Sequence, residues 1–337
     1  MITAPGSGPA GAAAEPTRER RSGVPAGVLI VDKSSGVTSH DVIDVVRRRF
    51  HERSAGHLGT LDPMASGLLA VALGAATRCA PVWQRGDKTY LGTLRLGIET
   101  RTQDLSGEVV AERPVEVTEA DVRAAAVPLV GDLLQVPPMV SAVRVGGERL
   151  YRLARRGVMV EREPRAVRVL SWEWLAFDLP LATFRVRCSG GTYVRTLAHD
   201  LGASLGCGAA LASLRRLASE PFDLARCVTI RDLHELPPES AWARAGIPLD
   251  EALRTLPALL LEAPEVRAVG YGTAIPLDPA RAAALPLGAG PRSVVFRDAA
   301  GRALALGEAS AAGGAGACAR PHVVSPWAVR EGRVPAP

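Results

Sequence analysis

The segment from Ala55 to Arg78 constrains the fold of this chain most, because it joins a turn that carries a single carboxylate to a long apolar run. The carboxylate is Asp62, and a residue that precedes proline is biased toward extended or turn conformations. The apolar run, residues 65–76, is hydrophobic enough to be buried and to anchor the turn. A lone carboxylate on a fixed loop suits a nucleophile or a general base. An ordinary turn that caps a buried helix explains the same pattern without any chemistry.

The composition is typical of a soluble globular protein. With 337 residues, of which 47% are hydrophobic and 22% charged, the chain is long enough for two folded domains. No apolar run reaches the roughly 18 residues that a membrane span needs. Residues 1–26 are rich in Gly, Ala and Pro and lack the apolar stretch of a signal peptide, so we expect a disordered tail there and a cytoplasmic location.

The cysteines argue against a disulfide framework and against a structural metal site. Their number is odd, they are scattered, and none has the spacing of metal ligands. Reduced thiols are therefore expected, and no bound metal. The five residues are Cys79, Cys188, Cys207, Cys227 and Cys318.

Positive charge is concentrated in one segment. The chain carries a formal net charge of +5, and residues 138–168 alone hold eight arginines against three glutamates. The planar guanidinium suits phosphate groups and stacked bases, and such clusters give a salt-sensitive affinity for nucleic acid. A solvated charged surface is the alternative interpretation of this segment.

The string GHLGTLDPMASGLL at residues 56–69, with Thr-Arg at 77–78, resembles the catalytic motif of the TruB family, the tRNA pseudouridine-55 synthases. The resemblance identifies Asp62 as the nucleophile and His57 as the motif's histidine, which would fill the space that an extruded base vacates. It also implies the pseudouridine synthase fold: an α+β class with a mixed, mainly antiparallel sheet and flanking helices.

The string DKSSGVTSHD at residues 32–41 resembles the opening motif of this family and makes Lys33 a candidate site residue. Ser34 departs from the proline that the family has after this lysine. Residues 27–32 are predicted to form a strand, and Val42 to Phe50 a helix capped by the polar residues before it.

Two further strings follow in the order that the family has them. Asp87-Lys-Thr-Tyr90 resembles a motif whose tyrosine stacks on the target base, which makes Tyr90 the candidate for the proton transfer. Residues 97–107 resemble a segment whose aspartate, here Asp104, is expected to support the site by hydrogen bonding. Without the family, Tyr90 is an ordinary strand aromatic and Asp104 a turn residue.

The string CSGGTYVRTL at residues 188–197 supplies two more candidates. If the chain is extended there, Tyr193 and Arg195 point to the same side. The resemblance places Tyr193 beneath the flipped base and pairs Arg195 with Asp62, and an arginine partner favours the charged form of a carboxylate. Leu214 is expected to line the uracil pocket, at the end of a helix that finishes with residues 214–217.

Residues 138–168 resemble the family's insertion, a mobile lobe that grips the RNA hairpin loop. Its helix is expected at about 148–156, and any exposed basic helix has the same pattern. The arginines that we expect to contact RNA are Arg144, Arg149, Arg152, Arg155 and Arg156.

Beyond about residue 226 the resemblance is weak. Pro-rich pieces near 237, 248 and 257 indicate a linker after a catalytic domain at 27–247. Strand-like residues 293–296 and a hairpin into 302–307 indicate a small β-rich, PUA-like RNA-binding domain at 248–337, with a flexible loop at 311–319.

The sequence therefore predicts a stand-alone synthase that flips uridine 55 of the tRNA T-loop out of its stack and isomerises it to pseudouridine. The reaction implies no cofactor, no membrane and no obligate protein partner, and a monomer is expected. Attack of Asp62 on the sugar and attack on the uracil ring both remain open. The alternatives for the whole chain are a guide-RNA-dependent relative and a tRNA-folding chaperone that works without catalysis.

Overall fold

In the computed structural model, the described residues are 26–141, 143–285, 287, 290–312 and 316–324. The tail predicted at 1–26 therefore lies outside them except for Ala26. The strands within the described part are β1 (Gly27–Lys33), β2 (Ala55–His57), β3 (Ser66–Leu73), β4 (Lys88–Leu96), β5 (Ile98–Thr100), β6 (Val109–Glu112), β7 (Gly131–Gln135), β8 (Arg144–Val145), β9 (Glu148–Arg149), β10 (Arg165–Asp178), β11 (Leu181–Cys188), β12 (Ala209–Ser219), β13 (Phe222–Asp223), β14 (Val228–Thr229), β15 (Gly246–Pro248), β16 (Ala258–Leu260), β17 (Ile275–Leu277), β18 (Arg292–Arg297), β19 (Ala303–Ala312) and β20 (Gly316–Val324).

The α-helices of the same residues are mostly short. They are α1 (Ser39–Phe50), α2 (Ala80–Gln84), α3 (Glu119–Ala126), α4 (Leu150–Arg155), α5 (Val194–Ser204), α6 (Ile230–Glu235), α7 (Pro238–Ala245), α8 (Leu249–Ala252), α9 (Ala263–Gly270) and α10 (Pro279–Ala284). None of the helices in the described ranges is long and apolar enough to cross a membrane.

An eleven-stranded sheet forms the centre of the larger part of the molecule. Its main path runs β14-β1-β3-β12-β4-β11-β10-β7, with β15 beside β1, β2 beside β3 and β13 beside β12. Among the described strand pairs of this sheet, only β1–β14 and β3–β12 are parallel. The mixed, mainly antiparallel sheet with flanking helices confirms the predicted α+β class.

Local sequence explains the helix that supports the site loop. The Thr38 side chain accepts a hydrogen bond from the Asp41 amide, and the Asp41 carboxylate accepts one from the Thr38 amide. This capping box satisfies amides that the first turn leaves unpaired. The helix ends at His51, which adopts a left-handed conformation with φ of 50°. Its apolar face packs into the core between the sheet, α5 and α6.

A second sheet of five strands, in the order β16-β18-β19-β20-β17, forms the C-terminal part and confirms the predicted small β-rich element. It packs against the face of the large sheet that lies opposite to α1, through one shared apolar cluster. Leu253, Val295 and Leu306 lie in that cluster together with Val28 and Leu68 of the large sheet. The two parts therefore share a continuous core.

The predicted helix ending at residues 214–217 is wrong. Residues 209–219 form β12, which pairs with β4 from Ala209 opposite Leu96 to Ser219 opposite Lys88. Ala, Leu and Arg favour helices when isolated, but pairing in the middle of a sheet overrides that weak preference.

Three other expectations on local structure also need correction. The helix of the basic segment begins at Leu150, because residues 148–149 pair with β8. The region predicted as a linker holds α7, β15 and α8, and β15 is a strand of the large sheet. Of the loop predicted at 311–319, residues 311–312 and 316–319 are strand, and 313–315 lie outside the described residues.

Candidate active site

Asp62 lies in the loop between β2 and β3, as predicted, and the backbone on both sides of it is held. The Ser39 hydroxyl at the start of α1 donates to the Leu61 carbonyl at 3.0 Å and accepts from the Leu61 amide at 2.9 Å. The Ala65 amide donates to the Asp62 carbonyl at 3.0 Å. These bonds fix the position of a carboxylate whose side chain remains 33% exposed.

Arg195 binds this carboxylate through two charge-assisted hydrogen bonds. Its Nε lies 2.7 Å from Oδ2 of Asp62 and its Nη2 lies 3.1 Å from Oδ1. The guanidinium is only 2% exposed and donates further bonds to the carbonyls of Thr102 at 2.6 Å and Val140 at 3.0 Å. Such a two-point contact fixes the orientation of the carboxylate as well as its charge environment.

Asp104 lies behind this ion pair. Its Oδ2 is 3.7 Å from Nε of Arg195, and its Oδ1 accepts hydrogen bonds from the Thr102 hydroxyl and the Ser106 amide. Asp104 is only 4% exposed. Its charge attracts the Arg195 guanidinium, and its hydrogen bonds hold the turn that presents the Thr102 carbonyl. It does not line either of the cavities described below.

Asp62 and His57 border two cavities. The inner cavity, of about 340 Å³, is lined by Tyr90, Tyr193 and Leu214 together with Asp62. It is of the size and mixed polarity typical of small-molecule sites. The structure thus brings the four residues together although they come from a loop, two strands and a helix start.

The two tyrosines reach the inner cavity from different elements. Tyr90 is the third residue of β4, whereas Tyr193 precedes the first turn of α5 and its backbone is paired with the Gln135 side chain. The Tyr193 amide donates to the Gln135 Oε1 at 2.8 Å, and the Gln135 Nε2 donates to the Tyr193 carbonyl at 3.1 Å. Burial raises the pKa of both phenols above the ordinary value, so both are protonated at neutral pH.

The condition under which Tyr193 and Arg195 are expected to point to the same side, an extended chain through both residues, is not met. Only Tyr193 has extended backbone, and Arg195 belongs to α5. The two side chains still reach one cavity, because the helix starts immediately after the tyrosine.

His57 ends β2 at the boundary between the two cavities. Burial lowers the pKa of its imidazole, and the positive charge of Arg216 lowers it further, so the ring is neutral at neutral pH. Its buried Nδ1 has no hydrogen-bond partner among the described residues.

Lys33 lies beneath the Asp62 loop and lines neither cavity. Its fully buried ammonium donates to the carbonyls of Val37 at 2.7 Å, Ser34 at 2.9 Å and Pro63 at 3.4 Å. Burial lowers its pKa from 10.5 to about 8, against the opposing influence of the Asp62 charge. The lysine thus holds the turn that follows the carboxylate.

The outer cavity, of about 1100 Å³, lies between the Asp62 loop and the basic segment. Arg149 and Arg152 line it, whereas Arg156 is paired with Glu148 at 2.8 Å. The side chains of Arg144 and Arg155 lie outside the described residues. Within the described part of the chain, no group of His, Cys, Asp and Glu is arranged to hold a metal ion.

Sequence reasoning missed Gln135 and Arg216. Gln135 precedes the basic segment without any motif to distinguish it. Arg216 lines the inner cavity beside Leu214. Strand alternation places residues 214 and 216 on one face, so the signal was present but was hidden by the helical interpretation of this segment.

Comparison with known proteins identifies the family of the chain. The model of the TruB family pseudouridylate synthase N-terminal domain matches residues 47–194, and that of the tRNA pseudouridylate synthase B C-terminal domain matches residues 195–259. The protein named tRNA pseudouridine synthase B of Opitutus terrae is 51% identical over 212 residues, which are 63% of this chain and 88% of that protein. The protein of the same name from Dechloromonas aromatica is 40% identical over 282 residues, or 84% of this chain and 91% of that protein.

A solved structure shares the fold. The crystal structure of a Cbf5-Nop10-Gar1 complex contains a chain that superposes with a TM-score of 0.64 at 28% identity, covering 84% of this chain and 78% of that one. Together with the sequence relatives, this confirms the predicted pseudouridine synthase fold, and the chain belongs to the TruB family of pseudouridylate synthases.

Proposed function

We propose that this enzyme isomerises uridine 55 in the T-loop of tRNA to pseudouridine, with Asp62 as the nucleophile. The observation that carries the proposal is the Asp62 carboxylate, held at 2.7 and 3.1 Å by the buried Arg195 at the edge of the inner cavity. Relatives named tRNA pseudouridine synthase B at 40–51% identity support tRNA as the substrate.

Access to the base requires that it leave its stack. A uridine inside a folded RNA loop does not expose its glycosidic bond, so the nucleotide must be extruded into a pocket. The inner cavity receives it, with Tyr193 and Leu214 packing against the base. His57, at the boundary of the two cavities, occupies the space that the base leaves.

The reaction replaces the bond between N1 of the uracil and C1′ of the sugar by a bond between C5 of the uracil and the same C1′. On the sugar route, the Asp62 carboxylate bonds to C1′ as the N1–C1′ bond breaks and leaves its electron pair on N1. The ring turns, C5 attacks C1′ and displaces the Asp62 oxygen, and the N1 electron pair forms a C6–N1 double bond.

The phenol of Tyr90, which is protonated in the resting enzyme, first loses its proton to solvent. The C5 proton then passes to the phenolate oxygen, and the C–H electron pair forms the C5–C6 double bond. The electrons of the former C6–N1 double bond move to N1, which takes a proton from solvent.

The outer cavity and the basic segment, residues 138–168, hold the RNA around the extruded nucleotide. Arg149 and Arg152 line this cavity and supply positive charge for backbone phosphates. We propose the domain limits 27–247 for catalysis and 248–337 for a second tRNA contact. We also propose that the enzyme acts as a cytoplasmic monomer without a protein partner.

The test uses an unmodified tRNA transcript that carries tritium at C5 of its uridines. Release of tritium from the T-loop position by the purified chain alone is the expected result, and a transcript with cytidine at position 55 is the matched control. Release that requires an added guide RNA would favour the guide-dependent alternative. Tight binding without release would favour the chaperone, and either result would contradict the proposal.

A further inference from the structure

Arg216 is a buried cation in the wall of the inner cavity. It lies in β12, two residues beyond Leu214, and is 2% exposed. Its neighbour Arg215 is 38% exposed and forms a surface ion pair with Asp32 at 2.7 Å. The two adjacent arginines therefore serve different purposes, and burial of Arg216 needs its own explanation because an unshielded charge is expensive to bury.

The guanidinium of Arg216 binds the backbone on both sides of the Asp62 loop. Nε donates to the Leu68 carbonyl at 2.8 Å, Nη2 to the Gly59 carbonyl at 3.0 Å and Nη1 to the Thr60 carbonyl at 3.4 Å. Two of these carbonyls precede Asp62, and the third lies in β3 after it. A planar fork of five donors can span three divergent acceptors, which the compact ammonium of lysine cannot do.

Arg216 is also the cross-strand neighbour of Tyr90. The two residues lie opposite each other in the antiparallel pair β12–β4, which places their side chains on one face of the sheet. Both line the inner cavity. The three bonds to carbonyls use three of the five N–H groups, so donors remain for the Tyr90 oxygen on that face.

Electrostatics point in the same direction as the geometry. Burial raises the pKa of the Tyr90 phenol, and the positive charge of Arg216 is the largest influence that opposes this rise. A phenol that accepts the C5 proton must first be ionised. Removal of the charge would leave a smaller fraction of Tyr90 in that form.

We propose that Arg216 is a positioning residue for the isomerisation, which holds the Asp62 loop by its carbonyls and stabilises the Tyr90 oxygen that accepts the ring proton. The inference rests on the proposed function above. Its role differs from that of Arg195, because Arg195 binds the carboxylate itself, whereas Arg216 links the nucleophile's backbone to the proton acceptor.

The test compares Arg216→Gln and Arg216→Lys with the matched surface variant Arg215→Gln. Single-turnover tritium release and the dissociation constant for tRNA are measured for each, with thermal unfolding as a control for structure. We expect Arg216→Gln to lower the turnover rate by at least about tenfold, the equivalent of one pKa unit, without weakening tRNA binding in proportion. Arg216→Lys should recover part of the rate, and Arg215→Gln should match the unchanged enzyme.

A spectroscopic readout separates this role from a merely structural one. Tyrosine labelled with ¹³C at the ring carbon that bears oxygen gives four NMR signals, since the chain has four tyrosines, and Tyr90→Phe assigns one. The titration midpoint of that signal should move to higher pH in Arg216→Gln and stay near its original value in Arg216→Lys. This measurement needs no RNA, so it stays informative even if the substrate assignment fails.

Two results would overturn the inference. One is a folded Arg216 variant, Gln or Lys, that keeps the full turnover rate. The other is a loss of rate with no movement of the Tyr90 midpoint in Arg216→Gln. If Arg216→Gln does not fold, Arg216→Lys decides, because loss of the divergent hydrogen bonds should still lower its rate.

Discussion

Replacement of Arg195 by methionine should destabilise the protein strongly, because the guanidinium is the shared hydrogen-bond partner of three groups and the ion-pair partner of a fourth, the buried Asp104. The guanidinium makes four hydrogen bonds, two to Asp62 and one each to the carbonyls of Thr102 and Val140. Methionine fills much of the same volume and offers no donor. Each of these partly buried carbonyls, when left unpaired, costs at most about 1–3 kcal/mol. The Asp62 carboxylate is one third exposed, so water can solvate part of its charge in the variant. Its unpaired charge therefore adds less to the loss of stability than a fully buried charge would.

The expected loss in the free energy of unfolding is therefore about 3–5 kcal/mol, the range found when one partner of a buried ion pair is removed. Urea unfolding followed by circular dichroism measures it. Arg215→Met is the control, since its exposed pair with Asp32 should contribute only about 0–1 kcal/mol. The reasoning would be refuted if Arg195→Met lost no more stability than Arg215→Met. A second check is the double variant Asp62→Leu with Arg195→Met, which should be more stable than Arg195→Met alone.

Three further predictions concern the supports of the site. Lys33 has a pKa of about 8 in the folded state and 10.5 in the unfolded state, so the folded chain releases its proton first. The unfolding free energy should therefore rise with pH across this window relative to Lys33→Met, by up to about 1.4 kcal/mol per pH unit; a constant difference in urea titrations would contradict this. Gly67→Ala, with φ of 96° and the added carbon in collision with the backbone oxygen of Arg216, should lower the melting temperature more than Gly131→Ala, with φ of 113° in open space. Gln135→Leu should lower the free energy of unfolding by about 1–3 kcal/mol for each backbone group of Tyr193 left unpaired. It should also slow turnover, because Tyr193 is displaced. An unchanged melting temperature would refute the role of this pairing.

The sequence predicted the structure best where the residue types themselves restrict the local backbone. The Asp62–Pro63 pair on its own disfavours a helix interior, and the capping residues before Val42 indicate the start of α1. The motifs then named several residues of the inner cavity, among them Asp62, Tyr90 and Leu214, which the fold assembles from β4, β12, the start of α5 and the Asp62 loop.

The errors arose where long-range pairing decides the structure. Residues 209–219 have the composition of a helix, and only their pairing with β4 makes them a strand. Because that strand was missed, the alternation that places Arg216 beside Leu214 was missed as well. The bonds from Gln135 to the backbone of Tyr193, 58 positions away, leave no trace in local sequence.

The central claim is that Asp62 performs the chemistry and is not needed to bind RNA. Single-turnover tritium release from the T-loop uridine should therefore be abolished in Asp62→Asn, whose amide keeps one oxygen that accepts from Arg195. The dissociation constant for the same transcript, measured in parallel, should change little. Tritium release by Asp62→Asn at the rate of the unchanged enzyme would contradict the account, whereas loss of release with intact binding would establish Asp62 as essential to the reaction.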